Sequence, residues 1–301
     1  MSGGIWLASY PKSGNTWFRL LLANLRAEAP VDINALPERG GIASARARFD
    51  NMMLFPSGLL THEECDRLRP GLYEAMAGRD WLSANIDDEA PPGQPLFIKT
   101  HDAWTYTTDG VPLLGAGPGV KGAILIVRDP RDVAPSLANH GGQTIDQSIR
   151  FMADPEGMFC GRVDRQHSQL RQRLPGWSGF NRSWLDQDEI PVHLVRYEDL
   201  HTDTLGVFAG ALAFAGVALD FGAMERAVEF ASFTLLRAQE LRSGFREAPV
   251  GRSAPFFRRG QVAAWRQELS VAQVARIEED HAGMMDRLGY PRAQTVKAAA
   301  G

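Results

Sequence analysis

The loop after the first apolar run of the chain carries residues suited to binding an anion. In IWLASYPKSGNTWFRLLLANL, residues 5–25, this loop lies between a strand-like run and a helix-like run. Backbone N–H groups at a helix start, with the helix dipole behind them, favour a bound phosphate or sulfate. Lys12 adds a charge and Thr16 a hydroxyl, but Lys12 precedes Gly14, whereas the common nucleotide-binding loop ends in Gly-Lys-Ser/Thr. The loop alone leaves a plain strand–helix turn with a solvated lysine equally open.

A second group of polar residues lies in LIVRDPRDVAPSLANH, residues 125–140. Arg128 stands at the end of an apolar run, and Ser136 follows about two helical turns later. A guanidinium fork and a hydroxyl on one wall would form a good phosphate contact. An ion pair of Arg128 with Asp129 or Asp132 is the structural alternative.

Two arginines and a glycine lie between aromatic residues in APFFRRGQVAAWRQ, residues 254–267. Such a loop can wrap a nucleotide, with guanidinium forks on a phosphate and aromatic faces on a base. A basic surface loop is the alternative, but it has no need of Gly260 or Trp265.

The segment FIKTHDAW, residues 97–104, places Lys99 and His101 just past the end of an apolar run. An isolated histidine at such a position is more often structural than catalytic. A lysine two residues away and three other anion-binding segments favour a general base instead.

The composition is that of an ordinary globular protein. Of the 301 residues, 44% are hydrophobic and 23% are charged. The net charge of −4 argues against general nucleic-acid binding, although it leaves room for a local basic pocket. Cys65 and Cys160 lie far apart and outside any zinc-binding pattern, and a disulfide between them is possible but has no sequence support.

The amino-terminal residues do not resemble a signal peptide. The longest apolar runs match buried strands and are far shorter than the roughly 20 residues that span a bilayer. We therefore expect a cytoplasmic protein without a membrane span.

Four apolar runs predict the strands of a parallel sheet covered by helices, because they are mostly continuous and each precedes a helix-like stretch. These runs are Ile5–Ser9, Pro95–Lys99, Ala123–Val127 and Val192–Arg196. We expect one α/β domain over residues 1–301, with a core at about 4–291 and a flexible tail over 292–301.

Helices are predicted over Thr16–Arg26 and Ser270–Leu288 from the spacing of their apolar residues. A third helix should start after Asp129 as its N-cap, with Asp132 reaching back from the third position. Pro135 should bend or shorten this helix. The less regular segments 31–72 and 139–177 are expected to cover the open end of the sheet, where ligands bind in such folds.

Five motifs occur in the order found in the cytosolic-type sulfotransferases, and the chain resembles that family over roughly residues 4–291. They are YPKSGNTW, KTH, VRDPRDVAPS, W…F…SWL…VRYEDL and FFRRG…W. The resemblance implies a P-loop-NTPase-like α/β domain with a central parallel sheet flanked by helices. It also implies sulfuryl transfer from 3′-phosphoadenosine 5′-phosphosulfate (PAPS) to a hydroxyl or an amine of a small-molecule acceptor.

The resemblance assigns the PAPS contacts by position. The residues matched to the 5′-phosphosulfate are Lys12, Ser13, Gly14, Asn15, Thr16 and Trp17. Those matched to the 3′-phosphate are Arg128, Ser136, Arg258, Arg259 and Gly260. Those matched to the remaining nucleotide contacts are Tyr197, Ser232, Phe233 and Phe257.

Three residues carry the chemistry that the resemblance implies, and no metal is expected. His101 is matched to the catalytic base, Lys12 to the lysine that stabilises the leaving phosphate, and Lys99 to the lysine that polarises the transferring group. Asn15 stands where animal members commonly have a threonine, and its side-chain amide is still expected to donate. Ala231 stands where a threonine hydroxyl is frequent, which leaves one nucleotide contact open.

The sequence carries no readable code for the acceptor. Its site is expected in segments 31–72, 139–177 and 241–253. Several aromatic and apolar residues either line this site or belong to the local core: Phe49, Met52, Met53, Phe55, Trp104, Tyr106 and Phe245. A homodimer is possible, although no short dimerisation motif of the animal relatives is evident.

Two other functions remain open from the sequence. An ATP-dependent nucleoside or small-molecule kinase would use the same kind of sheet, but the lysine-before-glycine order disfavours it. A non-catalytic nucleotide-binding module is the other, and it would have no need of a general base at His101 beside Lys99.

Overall fold

The structure is a computed structural model of the chain and describes most of the sequence. The described residues are 3–36, 41–78, 95–218, 220–248 and 255–293. Their strands are β1 (Gly4–Ser9), β2 (Leu96–Thr100), β3 (Val120–Val127), β4 (Met158–Phe159), β5 (Gln172–Arg173) and β6 (Val192–Arg196). A four-stranded sheet has the order β2-β1-β3-β6, with every neighbouring pair parallel, while β4 and β5 form a separate antiparallel pair. The four predicted strands are confirmed, although β3 begins earlier than predicted.

Helices cover both faces of this sheet. They are α1 (Asn15–Asn24), α2 (Arg46–Met53), α3 (His62–Gly78), α4 (Pro130–Gly141), α5 (Ile145–Ala153), α6 (Gly176–Asp186), α7 (Tyr197–Thr202), α8 (Thr204–Phe214), α9 (Phe221–Phe230), α10 (Phe233–Ser243) and α11 (Val271–Arg287). The predicted first and last helices are confirmed, and α11 begins after Ser270, whose hydroxyl accepts from the N–H of Gln273 in a capping box.

The strands read as continuous apolar runs because both faces of the sheet are buried. In β1, Trp6 belongs to a core cluster shared with α3, α4, α5, α6 and α11, whereas Ile5 and Leu7 belong to a cluster shared with α1, α8 and α9. In β3, Leu125 and Ile124 alternate between the same two clusters. Each fully buried side chain of this size stabilises the fold by about 1.5–3 kcal/mol. The two core clusters fix the position of the sheet, and they therefore also fix the ends of its strands.

The start of α4 differs in part from the prediction. Asp129 is the N-cap, since its carboxylate accepts the backbone N–H two residues on at 2.9 Å. The helix continues through Pro135, so the predicted shortening does not occur. Asp132 does not reach back along the helix. Its carboxylate accepts the backbone N–H groups of Ala263 and Trp265, each at 2.8 Å, and so ties a distant loop to α4.

The irregular segments contain helices and lie partly against the carboxyl ends of the strands. The N–H of Ala43 donates to the carbonyl of Lys99 at the end of β2, at 2.8 Å. Phe49 packs in a small core cluster with Cys65 and Leu170. Cys65 and Cys160 are both free thiols.

Within the described ranges, no helix has both the length and the apolar character required to cross a bilayer. The same ranges contain no group of three or more His, Cys, Asp or Glu side chains that could hold a metal ion. Metal independence stays a prediction. Most of the predicted tail, from residue 294 onward, lies outside the described residues.

Candidate functional site

The predicted site residues gather at one edge of the central sheet, because the carboxyl ends of its parallel strands meet there. A cavity of about 640 Å³ lies at this edge, and every predicted site residue except Ser13 lines it. We call residues 11–17 with Lys99 and His101 the loop end of the cavity, and Arg128, Ser136 and residues 256–260 the arginine end. The described charged side chains that line it are Lys12, Arg19, Lys99, Arg128, Arg258, Arg259, Asp132 and Glu247. Cations therefore outnumber carboxylates in its wall.

The loop between β1 and α1 is built to present backbone N–H groups. Lys12 and Gly14 have positive φ angles of 71° and 108°. A Cβ on Gly14 would lie 2.7 Å from the ring of Tyr197, so this position requires glycine. Gly14 is the N-cap of α1, and among the described residues no side chain caps this helix. The N–H groups of its first turn are therefore available to an anion.

The side chains of Asn15 and Ser13 differ from the other predicted anion donors of the loop, since that of Asn15 bonds to β1 and Ser13 does not line the cavity. The side-chain amide of Asn15 donates to the carbonyl of Leu7 at 2.9 Å and to the hydroxyl of Ser9 at 3.2 Å. This amide braces the loop against β1, which corrects the expectation that it donates to a ligand. Ser13 is buried, and within the described structure its hydroxyl has no hydrogen-bond partner.

Lys12 is a half-buried cation in an electropositive setting. Its Nζ lies over the ring of Phe256, 3.8 Å from the ring centroid. Burial, together with the charges of Lys99 and Arg128, lowers the pKa of Lys12 to about 7. A negatively charged ligand would favour the charged form of this lysine.

His101 is held in one tautomer by the end of β1. Its Nδ1 lies 2.7 Å from the carbonyl oxygen of Ser9, which can only accept, so Nδ1 carries the hydrogen and Nε2 keeps its lone pair. Burial and the neighbouring charge of Lys99 lower the pKa of His101 to about 3. Burial also lowers the pKa of Lys99. The imidazole is therefore neutral near physiological pH and can accept a proton at Nε2.

A buried ionic network fixes the residue after His101. The carboxylate of Asp102 accepts from the guanidinium of Arg69, and both side chains are fully buried. The N–H of Arg173 donates to the same carboxylate at 3.3 Å, and the indole of Trp184 donates to the Asp102 carbonyl at 3.1 Å. Breaking such a pair from one side costs about 3–5 kcal/mol. The network anchors the end of β2 that carries the histidine.

Arg128 is positioned by carbonyls and an aromatic ring, not by the acids beside it. Its guanidinium lies over the ring of Tyr197 at 4.3 Å and donates to the carbonyls of Lys12 and Gln261, each at 3.3 Å. Asp129 pairs instead with Arg131 at 2.6 Å. The alternative of a local Arg128–Asp129 pair is therefore wrong. In the described structure the buried Nε of Arg128 has no hydrogen-bond partner.

Residues 256–260, which we call the late loop, close the arginine end of the cavity. Gly260 has a φ of 58°, and a Cβ there would overlap the ring of Phe233, so both backbone angle and space require glycine. Arg258 and Arg259 share Glu268 as an ionic partner, at 2.5 and 3.2 Å. The carboxylate of Glu268, which is not among the described lining residues, thus holds both guanidiniums beside the cavity.

Aromatic residues connect the two ends. The indole of Trp17 donates to the carbonyl of Ala231 at 3.0 Å and packs edge-on against Tyr197, with ring centroids 5.7 Å apart. Ser232 then serves as the N-cap position of α10. The Trp17 hydrogen bond uses the backbone carbonyl of Ala231, so this contact does not require the threonine hydroxyl that is frequent at this position in the family.

Comparison with known proteins places the chain in a family. A sequence model of the sulfotransferase domain matches residues 3–289, nearly the whole chain. The chain belongs to the sulfotransferase family. The α/β fold with a central parallel sheet flanked by helices is confirmed with it.

Two curated relatives of this sulfotransferase come from Arabidopsis thaliana. Cytosolic sulfotransferase 16 is 22% identical over 285 residues, which cover 90% of the present chain and 73% of the relative. Cytosolic sulfotransferase 17 is 24% identical over 287 residues, which cover 91% and 71%.

Two solved structures share the fold at low identity. Mouse sulfotransferase SULT7A1, complexed with PAP, is similar with a TM-score of 0.56, 16% identity, and coverage of 99% of this chain and 89% of that one. Retinol dehydratase, in complex with androsterone and inactive cofactor PAP, is similar with a TM-score of 0.53, 19% identity, and coverage of 94% and 80%.

The sequence did not indicate several residues that line the cavity of this sulfotransferase. They are Arg19, Ile42, His140, Phe159, Gln169, Glu247 and Phe256. None of the seven apolar candidates for the acceptor pocket is among the described lining residues. Trp104, for example, packs edge-on against Trp184 with centroids 5.2 Å apart and belongs to the core. Five of the seven lie in the segments expected to hold the acceptor, and Phe256 is part of the FFRRG motif, but the individual side chains were not identified.

Proposed function

We propose that this sulfotransferase moves the sulfuryl group of PAPS to a hydroxyl or an amine of a small acceptor, without a metal. The observation that carries the proposal is the joining of the loop end and the arginine end in one cationic cavity. PAPS has a phosphosulfate at one side of its ribose and a separate 3′-phosphate at the other. A nucleoside triphosphate presents a single contiguous chain of charge and has no use for two anion sites.

The residues present fit such a nucleotide. The uncapped start of α1 offers N–H groups, and Lys12 and Lys99 add charge at the loop end. In the described structure the Nε of Arg128, a residue that lines the cavity, is a buried polar group whose hydrogen bond remains to be made. Two of the similar solved structures contain PAP, the nucleotide without the sulfuryl group. Lys12, Thr16 and the loop N–H groups would hold the 5′ end, and Arg128, Ser136 and Arg258 the 3′-phosphate.

PAPS supplies an activated sulfuryl group, and the chain supplies proton transfer and charge stabilisation. His101 would accept the proton of the acceptor hydroxyl or amine at Nε2, a role worth about 10²–10⁴-fold in rate. The ammonium of Lys12 would stabilise the negative charge that grows on the bridging oxygen. Lys99 would polarise the transferring group from the neighbouring strand end.

The acceptor would lie against the remaining wall of the cavity. Ile42 and Phe159 offer apolar surface there, and His140 and Gln169 offer polar atoms. This lining suits a molecule with an apolar body and one nucleophilic group. Retinol dehydratase has been crystallised with androsterone and with retinol, molecules of that general kind.

The proposal is tested by following radiolabelled PAPS with a panel of phenols, alcohols, sugars and amines, in the presence of EDTA. We expect label to appear in at least one acceptor, with stoichiometric release of PAP. A parallel panel with labelled ATP and Mg²⁺ tests the kinase alternative. Transfer from ATP, or labelled transfer abolished by EDTA, would overturn the proposal.

A further inference from the structure

Glu247 places a carboxylate inside the loop end of the cavity. It follows α10 in sequence and lines the cavity with about a quarter of its side chain exposed. One carboxylate oxygen accepts from the guanidinium of Arg19 at 2.7 Å. The other accepts from the hydroxyl of Thr16 at 3.2 Å and lies 3.7 Å from the Nζ of Lys99.

These partners are the groups that an anionic ligand would need. Thr16 is in the first turn of α1, beside the uncapped N–H groups, and Lys99 is at the end of β2. A carboxylate and a phosphate accept hydrogen bonds from hydroxyls and ammonium groups in the same way. Glu247 thus makes contacts in this structure that resemble those of a bound anion.

The charge of Glu247 is permanent near physiological pH. Burial opposes its ionisation, but Lys99 and Arg19 hold the pKa of the carboxyl down at about 2. The negative charge of Glu247 raises the pKa of Lys12 and of His101 and so favours their charged forms. A 5′-phosphate that enters the loop end meets a repulsive charge and finds Thr16 and Lys99 already in contact with Glu247.

We propose that Glu247 is an internal anion that competes with the 5′-phosphate end of the nucleotide for Thr16 and Lys99. It thereby weakens nucleotide binding and speeds product release. This inference rests on the proposed function, because it assumes that the nucleotide's 5′ end binds at the loop end. The buried guanidinium of Arg19 keeps the carboxylate in reach, with an exposure of 7%. The contacts cross more than 200 residues of sequence, so only the fold reveals them.

The test uses calorimetric binding of PAP and of adenosine 3′-monophosphate, which lacks the 5′-phosphate. The variants are Glu247→Gln, which keeps a hydrogen-bond acceptor for Arg19, and Glu279→Gln, an equal charge change at an exposed site on α11. We expect Glu247→Gln to tighten PAP binding about 10-fold. The reason is that the apparent affinity is proportional to the fraction of protein in which an internal competitor does not block the site. Adenosine 3′-monophosphate should bind within about twofold of wild type, and Glu279→Gln should change neither ligand.

Weaker or unchanged PAP binding by Glu247→Gln would overturn the inference, since Glu247 would then only position Arg19 and Lys99. Equal tightening for both ligands would also overturn it, because the effect would not be local to the 5′ end. If the wild type binds no PAP, the proposed function itself fails. Should Glu247→Gln melt at a much lower temperature than wild type, Glu247→Ala provides a second charge removal with the same predicted direction.

Discussion

The two ends of the cavity meet an anion with different chemistry. The loop end offers backbone N–H groups and two half-buried lysines, with the pKa of Lys12 lowered to about 7 and that of Lys99 also lowered by desolvation. The arginine end offers guanidiniums, which stay charged and are already held by carbonyls at Arg128 and by Glu268 at Arg258. Protonation can therefore change at the loop end during binding and reaction, whereas the arginine end has a constant charge.

This difference separates chemistry from binding. Groups that can gain or lose a proton are useful where charge develops, and His101 lies among them. Fixed guanidinium forks are useful where a dianion is held unchanged throughout. We therefore expect loss of the proton acceptor at the loop end to alter turnover, and substitutions at the arginine end to alter nucleotide affinity without a role in proton transfer.

The largest expected effect is at His101. In His101→Ala the proton acceptor is gone, so kcat should fall by about 10²–10⁴-fold. The affinity for PAP should stay within about threefold of wild type, because the imidazole donates to Ser9 and not to the nucleotide. Steady-state transfer assays and calorimetry measure the two quantities. His193→Ala on β6, outside the cavity lining, serves as the control and should keep full turnover.

A large loss of PAP affinity with unchanged kcat in His101→Ala would reverse the proposed division between the two ends.

Arg128 should show the opposite behaviour. In Arg128→Ala the affinity for PAP should fall about 10- to 100-fold, because charge-assisted hydrogen bonds to the 3′-phosphate are lost. Adenosine 5′-monophosphate, which has no 3′-phosphate, should bind within about twofold of wild type. Arg128→Lys keeps the charge without the fork and should recover part of the loss. Equal losses for both ligands would remove Arg128 from the 3′-phosphate site.

The smallest expected effect is the uptake of a proton by Lys12 when PAP binds. Given a pKa of about 7, about nine-tenths of the Lys12 side chains are charged at pH 6, whereas at pH 8 about nine-tenths are neutral before PAP binds. Binding of the 5′-phosphate favours the charged form, so it should take up about 0.9 proton at pH 8, and affinity should fall as pH rises above 7. Calorimetry in buffers with different ionisation enthalpies measures this uptake.

Lys12→Arg, which is charged throughout this range, should bind PAP at pH 8 without proton uptake. Uptake that persists in this variant would assign the proton to another group.

The two ends also differ in how far the sequence revealed them. At the loop end, Lys12 lies in the short stretch of sequence that joins β1 to α1, and Thr16 lies in the first turn of α1. The local sequence pattern was therefore enough to place them at a helix start. Arg128 was identified in the same way at the end of β3. The tether of Asp132 to the residues that follow the late loop joins positions more than 130 residues apart, and the sequence suggested a local cap instead.

The acceptor wall was not predictable for the same reason. Ile42 lies in segment 31–72 and Phe159 and Gln169 in segment 139–177, where the acceptor site was expected, but no spacing identifies these side chains within the segments. The sequence left large aromatic residues such as Trp104 open between the acceptor site and the local core, and the structure places Trp104 in the core. Glu247 was missed because its segment carries no motif and its partners lie on α1 and β2.

The central claim is that one cavity binds two separate phosphates of a single nucleotide. The most direct test is calorimetry of the wild-type protein with PAP, adenosine 5′-monophosphate, adenosine 3′-monophosphate and ATP with Mg²⁺. We predict that PAP binds at least about 100-fold more tightly than either monophosphate, because each phosphate contributes about 2–3 kcal/mol, and more tightly than ATP with Mg²⁺. A monophosphate that binds as tightly as PAP, or ATP with Mg²⁺ that binds more tightly, would contradict the account.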